Sequence, residues 1–361
     1  MSGHVRPNHR AVAVWLFVLC GMVTMMVGLG GATRLTDSGL SMVEWQPLTV
    51  LPPLTDAEWQ ATFESYRQFP EYQKKTYGMS LADFKGIFWL EYLHRLWGRI
   101  IGVAFALPFL WFLARGAIDR PLTLKLVGLF ALGGVQGLVG WLMVKSGLID
   151  QPMVSPVKLA AHLGLAFLIL LLMLRLALDL WLREGHAVPA SAAARRFTTA
   201  TRTFVAFAFV VALSGALVAG LDAGLTYNTF PLMDGRLIPQ GLHLHSPWWV
   251  NHLDNVTTVQ FQHRLLAVTV VAAALALAVW AWRLGETVPR RARRMAVVLA
   301  ALALGQMTLG ITTLLLVVPV GLGVAHQLGA LAVLAAAVTL LRLLRSPPPP
   351  SPWAADPSTP V

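Results

Sequence analysis

The sequence predicts an all-α integral membrane protein: eight transmembrane helices in two tandem four-helix bundles related by a pseudo-two-fold axis. Three observations predict it. Of 361 residues, 56% are apolar and only 12% charged, with a mean hydropathy of +0.64; soluble domains carry about 25% charge. Eight apolar runs are each long enough to cross a ~30 Å hydrocarbon core at 1.5 Å per residue. Short motifs of the first half recur in order in the second. The composition excludes disorder, a disulfide scaffold, a collagen-like chain and an ordinary soluble enzyme. The one cysteine, Cys20, lies in an apolar run, so no intramolecular disulfide forms.

The runs cover residues 11–32, 86–114, 122–144, 156–182, 200–220, 256–282, 295–318 and 322–344. Lipid offers backbone groups no partner, so each must be a helix. The first run follows Arg6 and Arg10 as a signal peptide would. It lacks a small-x-small cleavage site and reads as a retained anchor after an N-tail of residues 1–10. The N-terminal bundle spans 11–182 and includes a long loop, 33–85. There Thr55-Asp56-Ala57-Glu58 fits a capping box opening a short surface helix that ends by Pro70. Ser80-Leu81-Ala82-Asp83 resembles a second cap, feeding the second span. Ser155-Pro156 suits the start of the fourth, because Pro is at home in a first turn. A linker, 183–199, leads to the C-terminal bundle, 200–344, whose long loop is 221–255. The Pro-rich tail, 345–361, is expected to be disordered.

Basic residues set the orientation. Sixteen Lys and Arg lie in the N-tail, the linking segments on that side and the C-terminal end, against eight in the opposite loops. Both termini are therefore expected in the cytoplasm, with the two long loops outside. The net charge of +11 is a topology signal rather than a nucleic-acid site.

The halves echo each other. Asp37-Ser38-Gly39-Leu40-Ser41 is matched by Asp222-Ala223-Gly224-Leu225-Thr226, and Glu91-Tyr92-Leu93-His94-Arg95 by Gln260-Phe261-Gln262-His263-Arg264. Gln136-Gly137-Leu138-Val139-Gly140 is matched by Gln306-Met307-Thr308-Leu309-Gly310, and Ala161-His162-Leu163-Gly164 by Ala325-His326-Gln327-Leu328-Gly329. Four spans per half make the repeat parallel rather than inverted.

Of ten histidines, His4, His9 and His186 read as solvated, and His243, His245 and His252 as loop residues, with a metal site the competing reading. His94, His162, His263 and His326 lie inside spans, one on each even-numbered helix. Polar groups at depth are costly and tend to be functional. All four sit within about eight residues of the outer end, a shared depth of roughly 12 Å. Two facing histidines per bundle are the arrangement for axial ligation of a heme iron. The duplication favours His94 with His162 and His263 with His326. The competing readings are satisfied core histidines, or a mononuclear metal site, which has too few Cys, Asp or Glu beside it. Arg95 and Arg264 follow the first histidine of each pair and suit heme propionates; snorkelling to lipid headgroups is the alternative. Gly133, Gly134, Gly137, Gly140, Gly305 and Gly310 admit a macrocycle or a close helix. Met22, Met25 and Met26 read as packing rather than ligands.

The halves differ at Glu91, where the C-terminal half has Gln260. Glu91 lies one turn outward of His94 on the same face. A carboxyl can carry protons beside a heme and an amide cannot; pairing with Arg95 is the other reading. The N-terminal half thus reads as the chemical one and the C-terminal half as an electron carrier. The symmetric Asp37 and Asp222 suit turn formation.

On these residues the chain resembles the heme A synthase family over about 11–344. The motifs are Thr33-Arg34-Leu35-Thr36-Asp37-Ser38-Gly39-Leu40-Ser41, Glu44-Trp45-Gln46-Pro47, Glu91-Tyr92-Leu93-His94-Arg95 and Gln262-His263-Arg264, with His162 and His326. Pro52-Pro53 and Glu71-Tyr72 resemble the mitochondrial and proteobacterial branch. The outer-loop cysteine pair of some bacterial members is absent, so any thiol role does not transfer. The resemblance implies oxidation of a ring methyl of heme O to the formyl of heme A, by two hydroxylations and loss of water, for cytochrome oxidase biogenesis. It implies Glu91, His94 and His162 at the substrate heme, and His263 and His326 on a resident heme b. Its partners would be heme O, dioxygen or water, an electron donor, heme O synthase and oxidase assembly factors. Its place would be the bacterial inner membrane, with the heme sites toward the periplasm. The alternative is a diheme b-type electron-transfer cytochrome.

Overall fold

The structure, a computed structural model, describes residues 9–44, 51–148, 153–182 and 191–345. The expectations for Arg6, Trp45-Gln46-Pro47, His186 and the tail from 346 fall outside the described residues. Eleven α-helices occur among the latter: α1 (His9–Leu35), α2 (Asp56–Arg67), α3 (Pro70–Lys74), α4 (Leu81–Ala114), α5 (Arg120–Gly147), α6 (Pro156–Trp181), α7 (Ala192–Gly220), α8 (Asn251–Asp254), α9 (Val256–Arg283), α10 (Arg290–Leu315) and α11 (Val320–Leu343). Eight of them, α1, α4, α5, α6, α7, α9, α10 and α11, are long and apolar enough to cross a membrane.

Local chemistry sets the starts. Thr55 and Glu58 form the capping box of α2, and Ser80 caps α4 through the Asp83 N–H at 3.2 Å. Asp119 caps α5, and Pro156 opens α6. Helix α7 starts at Ala192, eight residues before the apolar run. Ser191 caps it, and Ala192-Ala193-Ala194 propagate it, alanine being the best helix former. Part of the expected linker is therefore helix, because hydropathy marks the apolar length of a helix and not its polar first turns. The short α3, with Pro70 in its first turn, adds a helix that the sequence pattern does not predict.

In the first half α1 packs on α4 and α6, and α6 on α5; in the second α7 packs on α9 and α11, and α10 on α9 and α11. Across the halves α1 meets α11, α6 meets α7, and α6 meets α11. Exchanging the halves maps these contacts onto themselves. One difference stands out: α9 and α10 pack along much of their length, whereas α4 and α5 touch over far less. Helix α5 accordingly buries only Leu122, Leu126, Leu129 and Gly147, while α10 also buries Ala292, Ala296, Leu299 and Ala303.

Pro108 lies inside α4 and cannot donate to the carbonyl of Ala104. The Trp15 indole N–H donates to that carbonyl instead, at 2.9 Å, while its ring packs on Phe105 and Phe112. Trp15→Phe keeps the ring contacts and leaves the carbonyl unpaired, which should cost about 1–3 kcal/mol. Adding Pro108→Ala restores a backbone donor, so the double variant should regain most of the thermal midpoint lost by the single one. Simple additivity would refute this.

The first long loop folds into its own small core. Trp59, Phe63, Tyr66, Tyr72, Phe84, Phe88 and Tyr92 are buried together, with Trp59–Phe88 and Tyr66–Phe84 centroids 5.0 and 5.1 Å apart. Such pairs contribute about 0.5–1.5 kcal/mol each beyond their burial. The end of α1 is tied to the second half. Arg34 donates to the Ala219 carbonyl and pairs with Asp222, both at 2.9 Å, and also reaches Asp37 at 3.5 Å. Asp37 and Asp222 both adopt left-handed backbone, at φ 52° and 50°. Asp is one of the few residues that visits that region readily.

Candidate functional site

The four intramembrane histidines occupy two equivalent places, His94 on α4 with His162 on α6, and His263 on α9 with His326 on α11. His94 lies in electrostatic reach of His162, and His263 of His326. Each imidazole rests against a glycine of a neighbouring helix. A Cβ would stand 3.3 Å from the His94 ring at Gly30, 2.8 Å from His162 at Gly140, 3.0 Å from His263 at Gly215 and 2.6 Å from His326 at Gly310. Gly140 and Gly310 are among the glycines that the sequence singles out; Gly30 and Gly215 are not. Their signal is the offset that aligns Asp37 with Asp222, which also aligns Gly30 with Gly215. Gly133, Gly134, Gly137 and Gly305 face open space.

Further partners fix three of the rings. The Gln136 amide lies 3.2 Å from His162 Nδ1 and donates to its carbonyl at 3.1 Å; Gln306 does the same for His326, at 3.1 and 2.8 Å. Ser214 Oγ lies 2.8 Å from His263 Nδ1. The residue matching Ser214 in the first half is Leu29, and no hydrogen bond to the His94 ring occurs among the described residues. Comparing the sequences of the halves shows these glutamines as echoes without a role, and misses Ser214.

Glu91 is 2% exposed. Its Oε2 accepts from Ser41 Oγ and the Met42 N–H, each at 2.7 Å, and its Oε1 pairs with Arg95. Arg95 also donates to the carbonyls of Met42 at 2.9 Å and Glu44 at 3.2 Å. Arg264 repeats this on the carbonyls of Tyr227 and Thr229, both at 2.7 Å. Gln260 donates to the Tyr227 carbonyl at 3.2 Å. Both arginines thus hold the turn following the left-handed aspartate. The Arg264 Nε and the Gln260 Oε1 are buried and have no hydrogen-bond partner.

The second long loop is built differently. His252 Nδ1 lies 3.0 Å from Gln262 Oε1, and Asn251 caps the Leu244 and His245 N–H groups at 2.9 and 3.0 Å. No group of three His, Cys, Asp or Glu able to hold a metal ion occurs among the described residues.

These residues could hold a heme in each half: each half offers two intramembrane imidazoles, seated against glycines of neighbouring helices, and all but His94 have a hydrogen-bonding partner at the ring. The glycines give a direct test. Gly310→Ala drives a methyl into His326, which must move, and ligand misorientation costs about 10–100-fold in metal affinity. The heme-to-protein ratio of the purified variant should fall accordingly; a wild-type ratio would mean that His326 is not held there as a ligand.

Comparison with known proteins follows the same span. A family model described as cytochrome oxidase assembly protein matches residues 13–338. A heme A synthase of Nitrosospira multiformis is 51% identical over 337 residues, 93% of this chain and 94% of the relative. One of Rhodospirillum centenum is 50% identical over 342 residues, 94% and 90%. One of Paramagnetospirillum magneticum is 50% identical over 337 residues, 90% and 91%.

Proposed function

The chain belongs to the cytochrome oxidase assembly protein family, and from that premise we propose that it is a heme A synthase, oxidising a ring methyl of heme O to the formyl group of heme A. Heme O is the substrate, held by His94 and His162 beside Glu91. His263 and His326 hold a resident heme b. Bound iron supplies the redox chemistry; the chain supplies ligation, orientation and proton handling.

The observation that carries this reading is Glu91 against Gln260. The two stand at equivalent places, yet only Glu91 can hold and return a proton. Its carboxyl group accepts from Ser41, Met42 and Arg95, buried with its partners in place. Two further differences point the same way. Ser214 orients His263, and outer partners of this kind hold a metal-ligating imidazole in place. Leu29 leaves His94 without one, which makes His94 the ligand freest to release the iron. Helices α4 and α5 are also less tightly joined than α9 and α10, as suits a substrate that enters and a product that leaves.

In this reading the protein lies in the bacterial inner membrane as two tandem bundles. Its termini are cytoplasmic and both heme sites lie toward the periplasm. It takes electrons from a donor protein, with dioxygen or water as the oxygen source. Heme O synthase and oxidase assembly factors are its expected neighbours. The deciding experiment is purification from cells that make heme O, followed by heme extraction and mass analysis. Heme b with heme O, a hydroxylated intermediate or heme A supports the reading. Two unmodified hemes b per chain would overturn it in favour of an electron-transfer cytochrome.

A further inference from the structure

Glu71, on α3, is a buried carboxyl that the chemistry above does not use. It is 3% exposed, and its Oε2 has no hydrogen-bond partner among the described residues. It sits at the edge of the aromatic core made by Phe63, Tyr66, Tyr72 and Phe84. Four groups act on it: the Tyr66 hydroxyl from α2, Asp37 from the turn after α1, Lys75 just past α3, and Glu91 from α4. Burial pushes its carboxyl up to about 8; Glu91 and Asp37 add to the rise, and Lys75 and Tyr66 oppose it.

Groups of two kinds lie within its electrostatic reach. Toward water stand Asp37 and Lys75, paired at 2.7 Å and both exposed. Toward the membrane stands Glu91, one helical turn from His94. A buried carboxylic acid with a free oxygen, in electrostatic reach of both an exposed pair and a buried carboxylate, is suited to pass protons between them. The C-terminal half lacks the endpoint, since Gln260 cannot take up a proton, and its equivalent turn has Ala223 where the N-terminal half has the buried Ser38.

We propose that Glu71 connects Glu91 to the aqueous surface at Asp37 and Lys75, and so governs the protonation of Glu91 during heme O oxidation. The inference rests on the functional reading above. For uptake, the protonated Glu71 gives its proton to the Glu91 carboxylate and regains one from surface water; for release the same transfers run backwards. No oxidation state changes in either. Glu71 is a positioning residue for the proton of Glu91, not a group that touches the heme.

Two readouts test it in the full chain, reconstituted in lipid nanodiscs. By infrared titration, the wild type should show a protonated-carboxyl band, absent from Glu71→Gln, that disappears as the pH rises through about 8. In heme O conversion, Glu71→Gln should slow turnover on the order of tenfold or more and abolish the wild-type fall in rate as the pH rises through this range, with heme content unchanged. Glu71→Asp should restore part of the rate and keep a shifted pH dependence. If the glutamine variant does not assemble, the aspartate variant decides, through a shifted band or an unaltered one. A wild-type pH profile in Glu71→Gln, or no titrating band assignable to Glu71, overturns the proposal. A wild type that binds heme O and never converts it overturns the functional reading instead, and this inference with it.

Discussion

His263→Ala is expected to give a protein that inserts normally and carries no heme b. The imidazole is held by Ser214 on one side and lies against Gly215, so removing it deletes the ligand that the proposed function assigns to heme b. The helices do not depend on it: α7 and α9 remain joined through Phe197–Trp280 and through apolar residues such as Ala208 and Ala274. The reduced-minus-oxidised spectrum should lose its b-type signal while the amount of protein in the membrane stays near wild type. Heme O conversion should fall with it, because in the proposed function this heme is the electron carrier. Retention of heme b would break the assignment. Ser214→Ala should give a graded version, with about 10–100-fold weaker heme binding.

Glu91→Gln should abolish most turnover while leaving both heme sites intact. The change copies the C-terminal half, where Gln260 and Arg264 already occupy these positions in a folded bundle, so the scaffold tolerates the pair. General acid–base groups contribute roughly 10²–10⁴-fold to rate, and a loss in that range, with wild-type heme content, is the expected result. Full turnover in Glu91→Gln would remove the proton role. Loss of heme as well as rate would instead point to the Glu91–Arg95 pair as a structural clamp on the turn at Met42 and Glu44.

What the sequence makes legible is local or periodic. The spans follow from apolar length, and the starts of α2 and α4 from Thr55 and Ser80, because caps are read within a few residues. The paired histidines and Glu91 are visible because the duplication supplies its own internal comparison. What escapes depends on distant contacts. Arg34 meets Asp222 across 188 positions, and the spacing of neither residue announces it. Ser214 and Leu29 differ in an unremarkable stretch of helix, and their difference matters only once His263 and His94 are seen beside them. Glu71 enters the sequence reading only within the Glu71-Tyr72 stretch, and its burial shows once the aromatic residues of α2 and α4 close over it. The polar first turns of α7 are missed because hydropathy is blind to helix outside lipid.

The contacts between the halves have a further consequence. Helix α1 meets α11 as α7 meets α6, and α6 meets α11 where the two sets cross. Each half therefore offers the other the same surface that it receives, which is the form of an isologous interface. A chain of four such helices could bind its own copy through this surface and hold two identical chambers. Fusion of the two copies frees one chamber to change without the other, and differences such as Glu91 against Gln260 and Leu29 against Ser214 then become possible.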